Sequence, residues 1–441
     1  MPWIDLLAVA AAAFAIVAAA QPRTSRTLLL TSAAIAASFL VLGFALEGAR
    51  WQLVALALLA VVLLPVAAWA GRRRGAAPRR VVGAGALVAA LGIGAASWVL
   101  PPASIPQPTG TFAVGVASDL RTDASRNARG GGPDGTVRSL PMTIWYPSAD
   151  TGADPAPLIA DEAATTVDGL ASQYGLPSWV LQQLRAAKGH AAADAPALDG
   201  GFPVVLFSPG LESSRWLAAS WATELASHGV VVIALDHPHD AAAVRTADGT
   251  IARSELVATG DEAEGARLAE QWTRTRADDL AALLDQLSSD RSGIPALAGA
   301  DFSRVVAAGH SRGGAAALLL AETDPRVAGA IDIDGMPPSQ ILSRGIPTVI
   351  LRAGDAEPNP AYDAATSAFV RAGATRVTID GVAHIGFTDV AFIIGPIPGV
   401  VGSAAQTGPA RAAAATRAVV DAVALERPLD LTRLAELGSI G

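Results

Sequence analysis

The sequence of 441 residues contains no cysteine. This absence excludes disulfide bonds, zinc sites built on thiolates and enzymes with a cysteine nucleophile. Basic residues are fewer than acidic ones, 32 against 40, so the formal net charge is −8. Outside one short loop, the sequence contains no basic stripe. A chain with this charge pattern is not expected to bind nucleic acid. Other side chains must therefore carry any chemistry.

Charged residues are missing from the centres of four apolar stretches near the start of the chain. Each stretch is close to the roughly 20 residues that cross the hydrocarbon core of a bilayer. Because no charged residue lies at the centre of any stretch, nothing indicates transport or a proton relay. The stretches cover residues 3–20, 27–46, 52–70 and 80–100. We predict that residues 1–100 form an all-α transmembrane domain of four helices that anchors the chain in the lipid bilayer.

Arginines between these stretches predict the orientation of the domain, since short arginine-rich loops are usually cytoplasmic. The first loop carries Arg23 and Arg26, whereas the second carries only Arg50 beside Glu47. The third loop carries five arginines: Arg72, Arg73, Arg74, Arg79 and Arg80. The sequence therefore predicts an integral protein of the cell membrane whose N-terminus and whose residues after 100 are extracytoplasmic.

Beyond a proline-rich linker at 101–109, apolar runs alternate with helical segments, which is typical of a parallel sheet with crossover helices. Residues 110–441 are predicted to form one α/β catalytic domain, with a flexible loop at 121–138 and a cap over the site at 150–200. Strands are predicted at 140–146, 203–207, 230–235, 304–308, 327–333, 348–351 and 376–379. Helices are predicted at 215–227, 268–287, 315–322, 361–371 and 410–425.

A serine between two glycines follows one of these predicted strands. The segment 309–313 reads Gly-His-Ser-Arg-Gly, and an Ala/Leu-rich helical stretch comes after it. A strand, a sharp glycine-flanked turn and a helix form the context of the G-x-S-x-G nucleophile elbow of α/β hydrolases. The pattern predicts Ser311 as the nucleophile of acyl transfer.

A serine nucleophile needs a histidine base, which in this fold follows the serine and the acid along the chain. His384 meets this requirement, because it comes after the last predicted strand in a glycine-bounded loop. The other histidines adjoin the serine or precede it: His190, His228, His237, His239 and His310. His228 is expected to cap a helix, and the side chain of His310 is expected to point away from that of Ser311. His237, His239 and His310 remain candidates for lining the site.

The acid that orients His384 has two candidates. Asp334 and Asp355 each lie at the carboxyl end of a predicted strand, where sites in parallel sheets form. The general plan of the fold slightly favours Asp355, and spacing does not decide between the two. Asp332 lies inside a strand and is expected to have a structural role.

The oxyanion hole is expected to use two backbone N–H groups. One belongs to Arg312, the residue after the nucleophile, and the other comes from a loop after an early strand. Residues 207–212 form such a loop, and the N–H of Leu211 is the candidate.

A metal hydrolase is an alternative interpretation of the segment 236–240, which contains Asp236, His237, His239 and Asp240. Rigid metal ligands seldom flank a proline as they would here. We therefore expect no metal, and no cofactor motif is present.

Several segments in order resemble the platelet-activating-factor acetylhydrolase family of α/β hydrolases. They cover roughly residues 108–430 and include 109–110, 114–115, 140–147, 202–211, 225–229, 236–238, 309–314 and 384–389. The resemblance implies the α/β-hydrolase fold and ester hydrolysis. It also favours Asp334 as the acid, since the family carries its carboxylate after the strand that follows the elbow helix. Pro209 and Arg312 depart from the vertebrate members, which carry His and Phe there, and the four-helix domain is not part of the family's core.

The sequence thus predicts a membrane-anchored serine carboxylic-ester hydrolase, of the esterase or lipase type, that acts on a small ester or lipid substrate through an acyl-enzyme. One alternative is an acyltransferase that uses the same three residues. Another is a non-catalytic, membrane-anchored binding protein on a hydrolase fold.

Overall fold

The computed structural model describes residues 3–21, 24–72, 76–149, 152–256, 260–338 and 344–441. Three of the arginines that predict the orientation, Arg23, Arg73 and Arg74, lie outside these residues. The chain divides into two compact units. The first comprises Met1–Ala103 with Phe392–Gly395, and the second comprises Ser104–Ala391 with Pro396–Gly441.

The first unit is helical. Its helices are α1 (Trp3–Ala20), α2 (Arg26–Glu47), α3 (Trp51–Arg72) and α4 (Ala76–Val99). Among the described residues, three helical segments are long and apolar enough to cross a membrane, namely Trp3–Ala20, Arg26–Glu47 and Val81–Val99. The segment Trp51–Val62 of α3 is a shorter apolar helix. The predicted four spans are therefore supported for three.

A buried cluster of charges joins all four helices of this unit at one end. The Arg50 guanidinium binds Asp5 of α1 at 2.5 Å and Glu47 of α2 at 2.8 Å. It also donates to the carbonyl of Leu100, just after α4, and Gln52 of α3 donates to the same carbonyl at 3.2 Å. Removing one partner of such a buried ion pair costs about 3–5 kcal/mol, because the other charge is left unpaired, so these side chains depend on one another.

The second unit is built on a ten-stranded sheet with a separate two-stranded hairpin. The strands of its first half are β1 (Ala113–Asp123), β2 (Arg138–Ser148), β3 (Ala192–Ala193), β4 (Phe202–Ser208), β5 (Val231–Leu235), β6 (Ala243–Arg245) and β7 (Ile251–Arg253). Those of its second half are β8 (Ala300–His310), β9 (Val327–Ile333), β10 (Thr348–Ala353), β11 (Thr375–Ile379) and β12 (Ser439–Ile440). The order across the sheet is β12-β11-β10-β9-β8-β4-β5-β2-β1-β3, and β6 pairs with β7.

The centre of the sheet is parallel from β11 to β5, and antiparallel pairs flank it at β11–β12, β5–β2 and β2–β1. Helices of this unit are α5 (Ala163–Gln173), α6 (Ala219–Ser227), α7 (Glu262–Ser289), α8 (Arg312–Thr323), α9 (Pro360–Arg371), α10 (Val390–Ile393), α11 (Gly408–Ala424) and α12 (Leu431–Ala435). Short 3₁₀ turns cover Ser178–Arg185, Arg215–Ala218, Pro295–Leu297, His384–Phe387 and Ala405–Thr407.

Alternating side chains of the central strands are buried on both faces of the sheet. Val204 and Leu206 of β4 belong to one core with residues of α7 and α8. Phe207, on the other face, packs against Trp221 of α6 with ring centroids 4.7 Å apart. The apolar runs of the sequence therefore become strands covered on both sides, and their carboxyl ends form the edge at which the site lies.

Each predicted strand and helix of this unit has a counterpart in the structure, but one predicted loop needs correction. The segment 121–138 is not a loop throughout, because β1 continues to Asp123 and β2 begins at Arg138. The predicted cap at 150–200 contains α5 and a 3₁₀ turn, and Gly169 of α5 lies against Ala243 of the β6–β7 hairpin. Residues 150 and 151 lie outside the described part.

Candidate active site

Ser311 occupies a sharp turn between β8 and α8. Its backbone has φ +57° and ψ −123°, a conformation that is strained for a residue with a side chain. A Cβ on Gly309 would lie 2.2 Å from the backbone of Gly313, and a Cβ on Gly313 would lie 2.0 Å from the carbonyl oxygen of Ser208. Only glycine fits at these two places, so the glycines allow the turn that lifts Ser311 above the sheet.

Ser311, His384 and Asp334 form a continuous chain of hydrogen bonds. His384 Nε2 lies 2.9 Å from Ser311 Oγ, and His384 Nδ1 lies 2.7 Å from Asp334 Oδ2. Because an ionised carboxylate only accepts, His384 donates through Nδ1–H and leaves Nε2 free to accept the serine proton. The arrangement has the donor order that serine acyl transfer requires.

Asp334 reaches His384 through a second unusual backbone conformation, with φ +55° directly after β9. Its Oδ1 accepts from the N–H of Ala353 at 2.8 Å, which fixes the carboxylate. Asp355, the other sequence candidate, instead accepts from the N–H of Gly381 at 3.1 Å. The structure therefore brings Asp334, and not Asp355, to the histidine.

The loop after β4 lies against the elbow, because a Cβ on Gly210 would be 3.5 Å from that of Ser311. This segment, residues 208–211, is called the oxyanion loop below. Among the described residues, no hydrogen bond uses the backbone N–H of Leu211 or of Arg312. The two N–H groups that the sequence predicts for the oxyanion hole are therefore available to donate to a ligand. One lies on the loop and the other at the start of α8.

Arg276 of α7 holds the oxyanion loop from behind. Its guanidinium donates to the carbonyls of Pro209 and Gly210 at 2.5 and 3.0 Å. Its Nε and Nη2 also donate to the two carboxylate oxygens of Asp240, at 2.6 Å each. Sequence analysis missed this residue, because an arginine in a polar helix gives no sign that tertiary packing will bury it.

A second chain of Ser, His and Asp lies next to Arg276. His237 Nε2 is 2.9 Å from Ser208 Oγ, and His237 Nδ1 is 2.8 Å from Asp279 Oδ2. Burial and the nearby Arg276 lower the pKa of His237. Burial alone would raise the pKa of Asp279, but the Arg138 guanidinium and the His237 hydrogen bond hold it below its usual value. A neutral imidazole thus links the base of the oxyanion loop to a buried ion pair.

Of the three histidines expected to line the site, only His310 does so. Its Nε2–H donates to the carbonyl of His384 at 2.9 Å, and the two imidazole rings lie 4.7 Å apart. Burial lowers the pKa of His310 to about 3, which keeps it neutral. His237 is buried behind the loop, and His239 binds Glu255 at 2.9 Å.

A small cavity of about 10 Å³ lies between the oxyanion loop, α6 and the 3₁₀ turn that carries His384. Apolar side chains form most of its wall, namely Phe207 of β4, Leu217, Trp221 of α6, Ile333 of β9 and Phe387 of the His384 turn.

The four residues of the alternative metal site do not converge. Asp236 binds Arg215 at 2.5 Å, while Asp240 is bound by Arg276. His237 and His239 have the separate partners given above. In the described part of the chain, no three metal-ligating side chains lie together.

Two buried acids support the site without touching Ser311. Asp332 lies under the elbow, where it accepts from the N–H of Gly335 at 2.7 Å, and burial raises its pKa well above 3.8. Asp389 follows the His384 turn and accepts from the N–H of Ser220 at 2.9 Å and from its hydroxyl. Burial raises the pKa of Asp389 to about 7. Asp389 therefore ties the histidine segment to α6.

A mostly parallel sheet with a serine elbow at the carboxyl ends of its strands is the architecture of α/β hydrolases. The sequence profile described as the alpha/beta hydrolase family matches residues 205–435. Because this match covers more than half of the chain, the protein belongs to the alpha/beta hydrolase family. The profile described as platelet-activating factor acetylhydrolase, isoform II, matches residues 99–276. The protein is thus a platelet-activating-factor-acetylhydrolase-like α/β hydrolase, which confirms the resemblance seen in the sequence.

Two relatives carry names that agree with the predicted enzyme class. A probable 1-alkyl-2-acetylglycerophosphocholine esterase of Arthroderma benhamiae is 30% identical over 190 residues, which are 43% of this chain and 44% of that protein. The match thus spans less than half the length of this curated relative. The solved structure of a ferulic acid esterase from Streptomyces cinnamoneus is 28% identical, with a TM-score of 0.60, and the match covers 75% of this chain and 95% of that one.

Proposed function

We propose that this protein is a membrane-anchored serine hydrolase that cleaves carboxylic esters through an acyl-enzyme. The observation that carries the proposal is the hydrogen-bond chain from Ser311 through His384 to Asp334. The strained elbow at Ser311 supports it, because such strain persists where function requires it. The names of the two relatives, both esterases, support the same reaction class.

In the proposed first half-reaction, Ser311 Oγ attacks the carbonyl carbon while His384 Nε2 accepts its proton. Asp334 holds the imidazole in the tautomer that can accept this proton and stabilises the imidazolium that results. The N–H groups of Leu211 and Arg312 donate to the oxyanion of the tetrahedral intermediate. His384 then donates its proton to the leaving alcohol, and the acyl group stays on Ser311.

In the second half-reaction, His384 takes a proton from water, which attacks the acyl-enzyme. The acid is released, and the proton returns from His384 to Ser311. We propose a small or lipid-derived ester as the substrate, since one relative is named for an acetylated glycerophosphocholine and the other for an aromatic acid. Besides the ester and one water molecule, these steps use side chains and backbone groups of this chain.

The test is Ser311→Ala in the full chain, with a short-chain nitrophenyl ester as substrate. Turnover should fall by about 10⁶-fold, to the background set by binding and the oxyanion hole. Ser288→Ala is the control, because this serine is exposed on α7 and takes no part in the hydrogen bonds of the site. Unchanged turnover in Ser311→Ala, with intact folding by circular dichroism, would disprove the proposal.

We also propose that four helices of the first unit span the membrane and that Ser311 faces the outside. Three segments of sufficient length and apolarity support this, as does the helical conformation of all 22 residues of α3. The arginines of the first and third loops support the orientation.

A further inference from the structure

Arg312 follows the nucleophile directly, yet among the described residues no carboxylate forms an ion pair with its side chain. The guanidinium is half-buried. Its Nη1 donates to Thr273 Oγ1 of α7 over a long distance of 3.5 Å. Its Nε is buried without a partner. In the described part of the chain, no carboxylate lies within 4.0 Å of it. By contrast, the buried Arg138, Arg215 and Arg276 each bind a carboxylate at 2.5–2.6 Å.

The acids nearest to Arg312 cannot supply the missing negative charge. Both carboxylate oxygens of Asp240 already accept from Arg276. Asp332 lies beneath the elbow, where burial raises its pKa well above 3.8 and so disfavours its charged form. Burial and the like charge of Arg276 also lower the pKa of Arg312 itself, which indicates an environment that opposes the cation. Buried charges in proteins are usually paired. Among the described residues no carboxylate pairs with Arg312, so a bound ligand could supply the negative charge.

We infer that Arg312 is a binding residue for an anionic group of the substrate, a phosphate or a carboxylate within a few bonds of the scissile ester. The inference rests on the proposed function, because Ser311 fixes where the ester lies. The backbone N–H of Arg312 is proposed to hold the oxyanion. Because the side chain extends only a few bonds from that backbone, its guanidinium reaches only groups close to the scissile ester. Guanidinium groups bind phosphate and carboxylate through paired N–H donors, and such bonds are stronger when desolvated. Esters with an anion near the reacting carbonyl are therefore the preferred class.

The test compares matched acetate esters with the purified full chain in detergent micelles. Acetoxyethyl phosphate is paired with its neutral dimethyl triester, and acetoxypropionate is paired with the neutral acetoxypropionamide. Acetate release gives kcat/KM for each ester, and the readout is the ratio of the anionic to the neutral member. The phosphate and carboxylate pairs show which anion is preferred.

Arg312→Gln should lower this ratio at least about tenfold for the preferred anion, because one charge-assisted contact is lost. Arg312→Lys should retain part of the preference, since a lysine keeps the charge without the paired donors. Arg427→Gln is the control for net charge. Arg427 is exposed just after α11 and lies beside residues at the amino ends of β9 and β10, away from the elbow. The ratio of anionic to neutral kcat/KM in Arg427→Gln should equal that of the wild type.

A ratio that is the same in the wild type and in Arg312→Gln for both pairs would overturn the inference. If neutral esters are still cleaved in a Ser311-dependent manner in that case, the proposed function stands and only the role of Arg312 falls. If the wild type cleaves none of the four esters, both proposals fall.

Discussion

The carboxylates of Asp334 and Asp355 lie in loops that follow neighbouring strands of the sheet, β9 and β10. The backbone of Asp334 turns through φ +55° and directs the carboxylate to His384 Nδ1. The loop of Asp355 runs along residues 381–382, so its side chain meets the N–H of Gly381. A single residue's backbone conformation therefore decides which acid serves the histidine.

Asp334→Asn should reduce kcat by about 10³- to 10⁴-fold, because an amide can hold the imidazole in the wrong tautomer. Asp355→Asn should stay within about threefold of the wild type, since an amide oxygen can still accept from Gly381. Steady-state kinetics on a nitrophenyl ester measures both. A large loss in Asp355→Asn with little effect in Asp334→Asn would reverse the assignment.

Residue types and chain order were sufficient to select Ser311 and His384 from the sequence. They were not sufficient for the acid, because both aspartates end apolar strands and only the positive φ separates them. Arg276 gave no signal at all. Its role depends on Asp240 and on two carbonyls that are distant along the chain, and such contacts exist only after folding.

At the scale of elements, the His384 turn is fastened to α6 by Asp389. The carboxylate accepts twice from Ser220, and the backbone N–H of Asp389 donates to the carbonyl of Leu217 at 2.7 Å. Burial raises the pKa of this carboxyl from 3.8 to about 7 in the folded chain. Between these two values the folded state holds a proton that the unfolded state has lost, so stability falls as pH rises through this window.

Asp389→Asn removes this titration but keeps an acceptor for Ser220. Relative to the wild type, the variant should gain about 3 kcal/mol in unfolding free energy between pH 5 and pH 8. Urea unfolding of both proteins in detergent at the two pH values measures the difference. An equal difference between variant and wild type at both pH values would show that Asp389 does not titrate in this range.

Elements of the central sheet were predictable because runs such as 204–207 and 230–233 are apolar without alternation, which marks strands buried on both faces. The outer strands were not. β1 alternates buried and exposed positions toward its end, while β3, β6, β7 and β12 have only two or three residues. Such short segments are specified by their partners and not by their own composition.

For the molecule as a whole, the lack of cysteine makes the proposed orientation measurable. A single introduced cysteine is the sole reactive thiol in the chain. Gln21→Cys reports on the loop after α1, and Gln107→Cys reports on the linker after residue 100; both positions are exposed. In intact cells, a membrane-impermeant maleimide should label Gln107→Cys, whereas Gln21→Cys should react only after permeabilisation. The reverse pattern would place the hydrolase unit in the cytoplasm.

Hydropathy was sufficient to predict the helices of the first unit, since their length and apolar composition are local properties. The ion cluster of Asp5, Glu47 and Arg50 was not predicted, although each of these residues was noted. Their pairing requires three helix ends to meet, and no local pattern encodes such a meeting.

The described residues contain two hydrogen-bonded sets of Ser, His and Asp, and a search by geometric template alone would return both. Ser208 differs from Ser311 in two respects: it is fully buried, and Arg276 donates to its oxygen at 3.0 Å. An oxygen whose lone pair is already engaged, and which no reagent reaches, is a poor nucleophile. A fluorophosphonate should therefore modify this protein with a stoichiometry of one, and the buried set serves as an internal reference for what accessibility adds to reactivity.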